Sequence, residues 1–215
     1  MLNLEKNFFK KRILIYGLGK SGLSAYSFLK KSNVISLFDD RIITKKKIKD
    51  THTTYKKIIK KEFDCIIISP GIDINKCKLS KFLKKNHKKI YTDLDIFYSR
   101  YALNQKITIT GTNGKSTTAK LLYDILKDQK KDVRLVGNIG NPILLEKKIK
   151  KDTLFVIEAS SYQLEYSRLF KTNISIILNI APDHLERHKT INKYVSAKFK
   201  LIKNQSKIDI AILNT

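Results

Sequence analysis

The segment T-G-T-N-G-K-S-T at Thr110–Thr117 constrains the fold of this chain more than any other feature. It lies between a β-like run, Ile107–Ile109, and a helical pattern over Lys115–Gln129. A glycine-rich turn between a strand and a helix leaves backbone N–H groups free to surround phosphate oxygens, and the helix N-terminus adds partial positive charge. There Lys115 can reach a β- or γ-phosphate, and the Ser116 hydroxyl can bind Mg²⁺. The segment therefore predicts a phosphate-binding loop.

The spacing of this loop differs from that of the standard P-loop. The standard pattern has a glycine five residues before Gly114, where this chain has Ile109. The loop is therefore a compact G-x-x-G-K-S variant. An ordinary strand-to-helix turn is the alternative, but a bare turn does not explain a lysine and a hydroxyl directly after the second glycine.

Length and composition limit the class of protein. The 215 residues can form one large domain or two small ones with a proper core. No apolar run approaches the roughly 18–20 residues that span a bilayer, and Met1–Lys11 has no apolar signal-peptide core. Cys65 and Cys77 form neither a disulfide framework nor a metal-ligand pattern. We therefore expect a cytoplasmic protein with no membrane partner.

The net charge of +25 first suggests a nucleic-acid-binding module. However, 38 of the 44 basic residues are lysine, and the lysine pairs are scattered along the chain. Base readout and bidentate phosphate recognition favour arginine. A chain rich in lysine, isoleucine and asparagine is also what AT-rich coding produces. We therefore expect no specific nucleic-acid partner, and keep such a module as an alternative.

A second glycine-rich turn, G-L-G-K-S-G at Gly17–Gly22, lies near the N-terminus. It follows an apolar run at Arg12–Tyr16, and the next run, Val34–Phe38, ends in Asp39-Asp40-Arg41. A G-x-G-x-x-G turn after a strand, with an acidic residue about 20 positions on, is the pattern of a dinucleotide site. An NAD-dependent oxidoreductase is therefore another alternative.

The order of apolar runs and helical patterns predicts an α/β fold. We expect a Rossmann-like domain at residues 1–92, a linker at 93–105, and a P-loop-type parallel-sheet ATP-binding domain, incomplete, at 106–215. Predicted strands of the first unit are Arg12–Tyr16, Val34–Phe38, Cys65–Ser69 and Ile90–Thr92; those of the second are Ile107–Ile109, Val133–Val136, Leu154–Ile157, Ile174–Leu178 and Ile208–Leu213. Predicted helices include Ser80–Asn86, Asp93–Arg100, Lys115–Gln129 and Asn192–Lys203, with polar helix and loop over Thr44–Lys61.

Polar side chains follow the strands of the second unit, where parallel sheets bind ligands. Glu158 follows an apolar strand, the position of an acid that holds Mg²⁺, although a surface or capping glutamate would look the same. His184 follows the next strand and could meet the same ion or be structural. In H-L-E-R-H the glutamate does not directly follow the first histidine, so the zinc-protease pattern is not matched.

Taken together, these motifs resemble the Mur ligases of bacterial cell-wall synthesis. The resemblance covers nearly the whole chain. Its motifs are G-L-G-K-S-G-L-S at Gly17, S-P-G-I at Ser69, T-D-L-D-I-F at Thr92, T-G-T-N-G-K-S-T at Thr110, G-N-I-G at Gly137, E-A-S-S-Y-Q-L-E at Glu158, L-N-I-A-P-D-H-L-E-R-H at Leu178 and Y-V-S-A-K at Tyr194. The Rossmann-like unit together with N-G-K-S-T favours the D-glutamate-adding branch, because the alanine-adding branch usually has histidine at the position of Asn113.

The resemblance implies two nucleotide sites with different ligands. The first holds the uridine nucleotide of the substrate UDP-N-acetylmuramoyl-L-alanine, and the second holds ATP and Mg²⁺. The implied uridine-nucleotide residues are Lys20, Ser21, Asp39, Asp40, Arg41 and Gly71, with Asn138 and His184 on the muramoyl part. The implied ATP-binding residues are Gly111, Thr112, Asn113, Gly114, Lys115, Ser116 and Thr117.

The resemblance also implies a reaction. The γ-phosphate of ATP passes to the substrate carboxylate, and the amine of D-glutamate attacks the acyl phosphate to form the amide. The implied catalytic residues are Lys115, Glu158, His184 and Lys198. Ser116 and Glu158 would bind one Mg²⁺ and His184 a second, with Lys198 as a further ligand if it is carbamylated. Lys200, two positions on, is the alternative to Lys198.

The chain departs from the family in length. Members of the family continue for roughly as many residues again, which complete the central sheet and add a third domain with the amino-acid site. We therefore expect this chain to be an incomplete part that lacks the C-terminal domain. We expect it to be monomeric, to bind the UDP-linked substrate weakly, and not to form the amide bond.

Overall fold

The computed structural model describes residues 5–41 and 52–214, which form two parallel β-sheets. The first sheet has the strand order β2-β1-β3-β4 and the second β6-β7-β5-β8-β9, with every neighbouring pair parallel. The strands are β1 Arg12–Tyr16, β2 Val34–Phe38, β3 Cys65–Ile68, β4 Ile90–Tyr91, β5 Lys106–Thr110, β6 Val133–Gly137, β7 Leu154–Glu158, β8 Ile174–Ile177 and β9 Ile210–Leu213.

Helices connect the strands, as parallel pairing requires. They are α1 Lys20–Leu29, α2 Tyr55–Ile58, α3 Ser80–Lys85, α4 Asp93–Arg100, α5 Lys115–Asp128, α6 Ser161–Glu165, α7 Leu185–His188 and α8 Ile191–Lys203. Short 3-10 turns lie at Glu5–Phe8, His87–Lys89 and Ile143–Leu145. Within the described ranges, no helix is both long and apolar enough to cross a membrane.

The predicted α/β fold class is confirmed, and each predicted strand is present to within a few residues. The reason is visible in β3, where all four side chains are buried because a parallel sheet is covered on both faces. At the last strand the prediction began too early, since Ile208 is 89% exposed and lies before β9. Part of the segment predicted as polar helix and loop, residues 44–51, lies outside the described residues.

The two sheets share a hydrophobic core around α4. Ile15 of β1 and Phe155 of β7 belong to the same buried cluster. Phe97 of α4 packs edge-on against Phe155, with ring centroids 4.8 Å apart. Most residues of α4 are buried, and the cluster that contains Phe97 includes residues of both sheets. The domain limits at residues 92 and 106 stay a prediction.

The order of the second sheet decides where the polar loops meet. β5 lies between β7 and β8, so the loops that follow these three strands leave from neighbouring positions at one edge. The loop after β5 is the glycine-rich segment, β7 ends at Glu158, and His184 follows β8. The carboxyl ends of parallel strands are where such sheets bind ligands.

Candidate functional site

A cleft of about 840 Å³ lies where the carboxyl ends of the two sheets face each other. Its lining combines residues from both units of the chain. The first unit contributes Lys20, Ser21 and Pro70; the second contributes Lys115, Gly137, Asn138, Gly140, Asn141, Pro142, Ser160, Ser161, Tyr162, Gln163, His184, Tyr194 and Lys198. The two turns predicted from the sequence to meet phosphates, those after β1 and β5, therefore open onto one space.

The loop after β5 is held in a defined shape by the segment that follows β8. The backbone N–H of Thr112 donates to the carbonyl of Asn179 at 3.0 Å, and the N–H of Asn113 donates to the Asn179 side chain at 2.9 Å. Gly114, at the start of α5, has a φ of 81°, a left-handed conformation that favours glycine. The Lys115 ammonium lies over the loop and donates to the carbonyls of Gly111 (2.9 Å) and Thr112 (2.7 Å).

Glu158 is a buried carboxylate at the end of β7, with no exposed surface. It accepts hydrogen bonds from the Ser116 hydroxyl at 2.8 Å and from the Asn138 amide at 2.7 Å, both neutral donors. Among the described residues, no Lys, Arg or His nitrogen forms an ion pair with it. A buried charge normally has a cationic partner or binds a metal. Ser116 and Glu158 together are therefore a suitable donor set for a divalent cation.

The neighbouring Gly137 explains how Asn138 reaches Glu158. A Cβ at Gly137, where φ is 107°, would lie 2.3 Å from the Glu158 carbonyl oxygen, so only glycine fits. This close approach lets the Asn138 N–H donate to the same carbonyl at 2.9 Å. Within the described ranges, no three His, Cys, Asp or Glu side chains are grouped to hold a metal. A cation here would take few protein ligands, as Mg²⁺ does beside phosphates.

Lys198 of α8 lies directly behind the loop. It is 1% exposed, and its ammonium donates to the Gly111 carbonyl at 2.7 Å and lies 4.5 Å from the centre of the Tyr194 ring. Burial, and then the charge of Lys115, lower the pKa of Lys198 to about 8. Lys200 instead donates to the carbonyl of Glu165. Of the two lysines named from the sequence, Lys198 is the one that contacts the loop.

His184 lines the cleft and has a left-handed conformation, with φ of 53°, directly before α7. Its ring packs against Tyr162 at 4.8 Å and faces Tyr194 at 6.3 Å. Tyr194 in turn shares a hydrogen bond of 3.1 Å with the Thr112 hydroxyl. These two tyrosines were not predicted from the sequence. Both lie in motifs that carry the family resemblance, E-A-S-S-Y-Q-L-E and Y-V-S-A-K, and those motifs were the available signal.

The turn after β1 is also closely packed. A Cβ at Gly17, where φ is 89°, would lie 2.8 Å from the Cβ of Ser69, and one at Gly22 would lie 1.8 Å from the Gly17 carbonyl oxygen. Glycine is therefore required at both ends of the motif. The Asp39 carboxylate accepts the backbone N–H of Leu18 at 2.6 Å, which fixes the turn against the end of β2.

The structure separates the residues predicted for the uridine nucleotide into two groups. Lys20 and Ser21 line the cleft, together with Asn138 and His184. The other predicted residues, Asp39, Asp40, Arg41 and Gly71, are not in its lining. Asp39 accepts the N–H of Arg41 as well as that of Leu18, and Asp40 accepts the hydroxyl of Tyr16 at 2.6 Å.

Comparison with known protein families gives two matches that cover most of the chain. Residues 11–90 match the family described as the Mur ligase MurD-like N-terminal domain. Residues 109–215 match the Mur ligase middle domain. The matches correspond to the units that contain the first and second sheets.

Curated relatives of the chain are ligases of the same family. A UDP-N-acetylmuramoylalanine--D-glutamate ligase of Caldicellulosiruptor bescii is 36% identical over 95% of this chain and 47% of its own length. Those of Lachnoclostridium phytofermentans and Wolbachia pipientis wMel are each 38% identical, over 97% and 94% of this chain and 48% and 40% of their own lengths. The chain thus spans about half the length of these relatives.

Solved structures support the fold. A ligase of Neisseria meningitides that acts on UDP-N-acetylmuramate and L-alanyl-gamma-D-glutamyl-meso-diaminopimelate aligns with a TM-score of 0.58 at 14% identity, over 95% of this chain and 71% of its own. The UDP-N-acetylmuramate-alanine ligase of Thermotoga maritima aligns at 0.53 and 20% identity, over 94% of this chain and 49% of its own.

Fold and loop geometry define this chain as a P-loop-type α/β protein preceded by a Rossmann-like unit. With both family matches and the curated relatives, the chain belongs to the Mur ligase family. The resemblance seen in the sequence is confirmed.

Proposed function

We propose that this chain is the substrate-binding and ATP-binding part of a ligase that joins UDP-N-acetylmuramoyl-L-alanine to D-glutamate. The observation that carries the proposal is the shared cleft, where Lys20 and Ser21 of the first unit face Lys115 and Lys198 of the second. The relatives named as D-glutamate ligases support the choice of substrates. Because the chain spans about half of their length, amide formation is proposed for the whole enzyme.

The proposed reaction begins with transfer of the γ-phosphate of ATP to the carboxylate of the UDP-linked substrate. Two anions must approach each other, so the main requirement is positive charge held in place before the reaction. The Lys115 ammonium, fixed over the loop by two carbonyls, is positioned to neutralise β- and γ-phosphate oxygens. The amine of D-glutamate then attacks the acyl phosphate, and phosphate leaves as the amide forms.

The remaining roles follow from position. Gly111 to Thr117 would bind the ATP phosphates through backbone N–H groups. Ser116 and Glu158 would hold one Mg²⁺, with His184 and a carbamylated Lys198 as ligands of a second; the metal supplies further charge neutralisation at the phosphates. Lys20, Ser21, Asp39, Asp40, Arg41 and Gly71 would bind the uridine nucleotide, and Asn138 and His184 the muramoyl part. We propose a cytoplasmic monomer with residues 1–92 and 106–215 as its two domains.

Binding measurements test whether the two ligands occupy separate parts of the cleft. We expect Lys115→Ala to weaken ATP binding at least tenfold, because a charged hydrogen bond to phosphate is lost, and to leave binding of UDP-N-acetylmuramoyl-L-alanine within about twofold. Isothermal titration of each ligand against the wild type and the variant measures both affinities. Lys120→Ala on the exposed face of α5 is the matched control, because Lys120 pairs with Asp124 away from the loop.

Two outcomes would contradict the proposed function. One is failure of the wild-type chain to bind either ligand under conditions where it is folded. The other is tight binding of NADH at the first glycine-rich turn, which would favour the oxidoreductase.

Carbamylation of Lys198 is a separate prediction. The reactive form is the neutral amine, whose fraction rises with pH through the pKa of about 8. We expect ¹³C-bicarbonate at pH 8 to give a carbamate carbon signal by NMR that fades as the pH falls below 7. Lys198→Arg should remove the signal and Lys200→Arg should keep it. A signal that survives Lys198→Arg would assign the modification elsewhere.

A further inference from the structure

Arg187 of α7 is a buried cation that the proposed function leaves without a role. Its side chain is only 7% exposed, whereas arginine side chains are mostly on the surface. Its Nε and Nη2 atoms each lie 2.9 Å from one carboxylate oxygen of Glu165, at the end of α6. Nη2 also donates to the backbone carbonyl of Ile72 at 2.6 Å. Ile72 belongs to the first unit, so this one side chain joins the two units of the chain.

The segment that this guanidinium reaches borders the cleft. It is the β3 loop, residues 69–72, which directly follows β3 of the first unit. Pro70 lines the cleft, and Gly71 is among the residues proposed for the uridine nucleotide. The Ser69 hydroxyl donates to the carbonyl of Gly17 at 2.6 Å. Hydrogen bonding within the first unit therefore already holds the β3 loop against the first glycine-rich turn.

In the second unit, Arg187 is part of the short helix α7, which begins after His184. His184 lines the cleft, and its ring packs against Tyr162 at 4.8 Å. The Arg187 guanidinium lies 5.3 Å from the centre of the same Tyr162 ring, within cation–π distance. Tyr166, 5.5 Å from the guanidinium, packs together with Ile72 against a core cluster of the first sheet. Arg187 is therefore placed to fix α7, and His184 with it, relative to the first unit.

An arginine at this position stands out because the chain strongly favours lysine. Of the 44 basic residues, 38 are lysine. A lysine side chain is shorter and has no nitrogen in the place of Nε, so its ammonium could pair with Glu165 but would fall short of the Ile72 carbonyl. The planar guanidinium binds the carboxylate and the carbonyl together and also stacks beside two aromatic rings.

The hydrophobic core around α4 does not make this connection redundant. Among the described residues, its buried cluster contains Ile15 and Phe155 but none of the β3 loop. Arg187 adds a connection at the cleft itself. A ligand that contacts both units binds more tightly when the two halves of its site are already held at the right spacing. A ligand confined to one unit gains nothing from this connection.

We propose that Arg187 is a positioning residue that joins α7 to the β3 loop and so sets the affinity of the cleft for a ligand that contacts both units. The inference rests on the proposed function for the identity of that ligand, UDP-N-acetylmuramoyl-L-alanine. Its uridine nucleotide would lie on the first unit, and its muramoyl part would reach Asn138 and His184 of the second. UDP alone and ATP alone would each contact one unit, so their affinities should not depend on Arg187.

Isothermal titration of the full chain with these three ligands tests the proposal. We expect Arg187→Lys to weaken binding of UDP-N-acetylmuramoyl-L-alanine about tenfold, the size expected for the loss of one charged hydrogen bond. The affinities for UDP and for ATP with Mg²⁺ should stay within about twofold of the wild type, since neither ligand needs the two units held together. The variant keeps its positive charge, so a change in electrostatic attraction does not explain the difference. A general defect of the fold would weaken all three ligands.

Arg12→Lys is the matched control, because it is the same substitution at an exposed arginine. The Arg12 side chain is 55% exposed and pairs with Glu62 and Asp64 at 3.7 and 3.6 Å. It begins β1, at the end of the strand opposite the first glycine-rich turn. We expect all three affinities to be those of the wild type.

Hydrogen exchange tests the connection without any ligand. The backbone N–H groups of His188 and Lys189 donate to the carbonyls of His184 and Leu185, which closes the single turn of α7. If Arg187 fixes this turn, Arg187→Lys should speed exchange in a peptide covering residues 185–189 about fivefold, because the turn opens more often. Exchange in β5 should stay as in the wild type. Unchanged exchange in α7 would overturn the proposal.

The outcomes separate the inference from the proposed function. If folded wild-type chain does not bind UDP-N-acetylmuramoyl-L-alanine, the proposed function is overturned, and hydrogen exchange still decides whether Arg187 fixes α7. If the wild type binds it but Arg187→Lys weakens all three ligands alike, or none, only the role of Arg187 is overturned.

A second variant keeps the test decisive if Arg187→Lys does not fold. Glu165→Gln leaves Arg187 a neutral acceptor in place of the carboxylate. We expect a smaller loss of affinity, about two- to fivefold, again confined to UDP-N-acetylmuramoyl-L-alanine. The absence of this selective loss, or failure of both variants to fold, would make Arg187 a residue of the fold alone and overturn the proposal.

Discussion

Replacement of Glu158 by glutamine is expected to lower the affinity for ATP in the presence of Mg²⁺ about 100-fold, in line with losses measured at metal sites. The neutral amide keeps the size of the side chain but removes the charge that would hold the cation. In the wild type the Ser116 hydroxyl and the Asn138 amide donate to Glu158 at 2.8 and 2.7 Å. In the variant the N–H group of the glutamine amide faces one of these two donors, so one hydrogen bond is lost. Isothermal titration with ATP, at several Mg²⁺ concentrations, measures the effect.

The dependence on magnesium distinguishes loss of a metal ligand from loss of the fold. ATP binding without magnesium should change little, and the melting temperature of the variant should show that it is folded. Glu62→Gln, at a side chain that is 85% exposed, is the control and should bind as the wild type does. An equal loss of affinity with and without magnesium would mean that Glu158 only supports the loop.

The strands and the two glycine-rich turns were predictable because each depends on local sequence. A buried parallel strand is a short apolar run, and a phosphate-binding turn needs glycine, lysine and a hydroxyl at fixed spacing. Gly114 and Gly137 show the same rule in the structure, since both adopt conformations that favour glycine. Such constraints act between residues that are close in the sequence, so the elements they define can be predicted from the sequence alone.

Two short helices in the cleft were missed, for different reasons. Ser160 and Gln163 form a capping box at the start of α6, and the S-x-x-Q spacing was a readable signal. By contrast, α7 begins after His184, which has a left-handed conformation. This conformation is uncommon for a residue other than glycine, so the sequence pattern did not indicate that a helix begins there. The contacts of Tyr162 and Tyr194 with His184 depend on how α6 and α8 pack, which local patterns do not encode.

The largest gap between sequence and structure is the interface between the two units. Asp93 and Asp95 are the same residue type two positions apart and both are buried, yet Asp93 accepts the N–H of its neighbour Leu94 whereas Asp95 accepts that of the distant Arg168. Phe97 was predicted only as part of a helix, and its packing on Phe155 joins the two sheets. Contacts of this kind join residues far apart in the chain, so they follow from the fold as a whole.

Asp95→Ala is expected to lower the free energy of unfolding by about 3–5 kcal/mol, because several buried backbone donors lose their acceptor together. One oxygen of this fully buried carboxylate accepts the backbone N–H groups of Arg168, Leu169 and Phe170 at 2.9, 2.7 and 3.0 Å. The same oxygen accepts the Ser167 hydroxyl at 2.9 Å. Its other oxygen completes the capping box of α4 with Thr92.

Urea denaturation measures this loss, and the slope of the free energy against urea shows whether the unfolded state has changed. Asp64→Ala is the matched control, because Asp64 also accepts a backbone N–H, that of Arg12 at 2.7 Å, but its side chain is 38% exposed. Water can replace the lost acceptor there, so a loss below about 1 kcal/mol is expected. Similar small losses for both variants would show that the segment at residues 167–170 does not depend on α4. A large loss confined to Asp95→Ala would show that the segment at residues 167–170 depends on this carboxylate of α4.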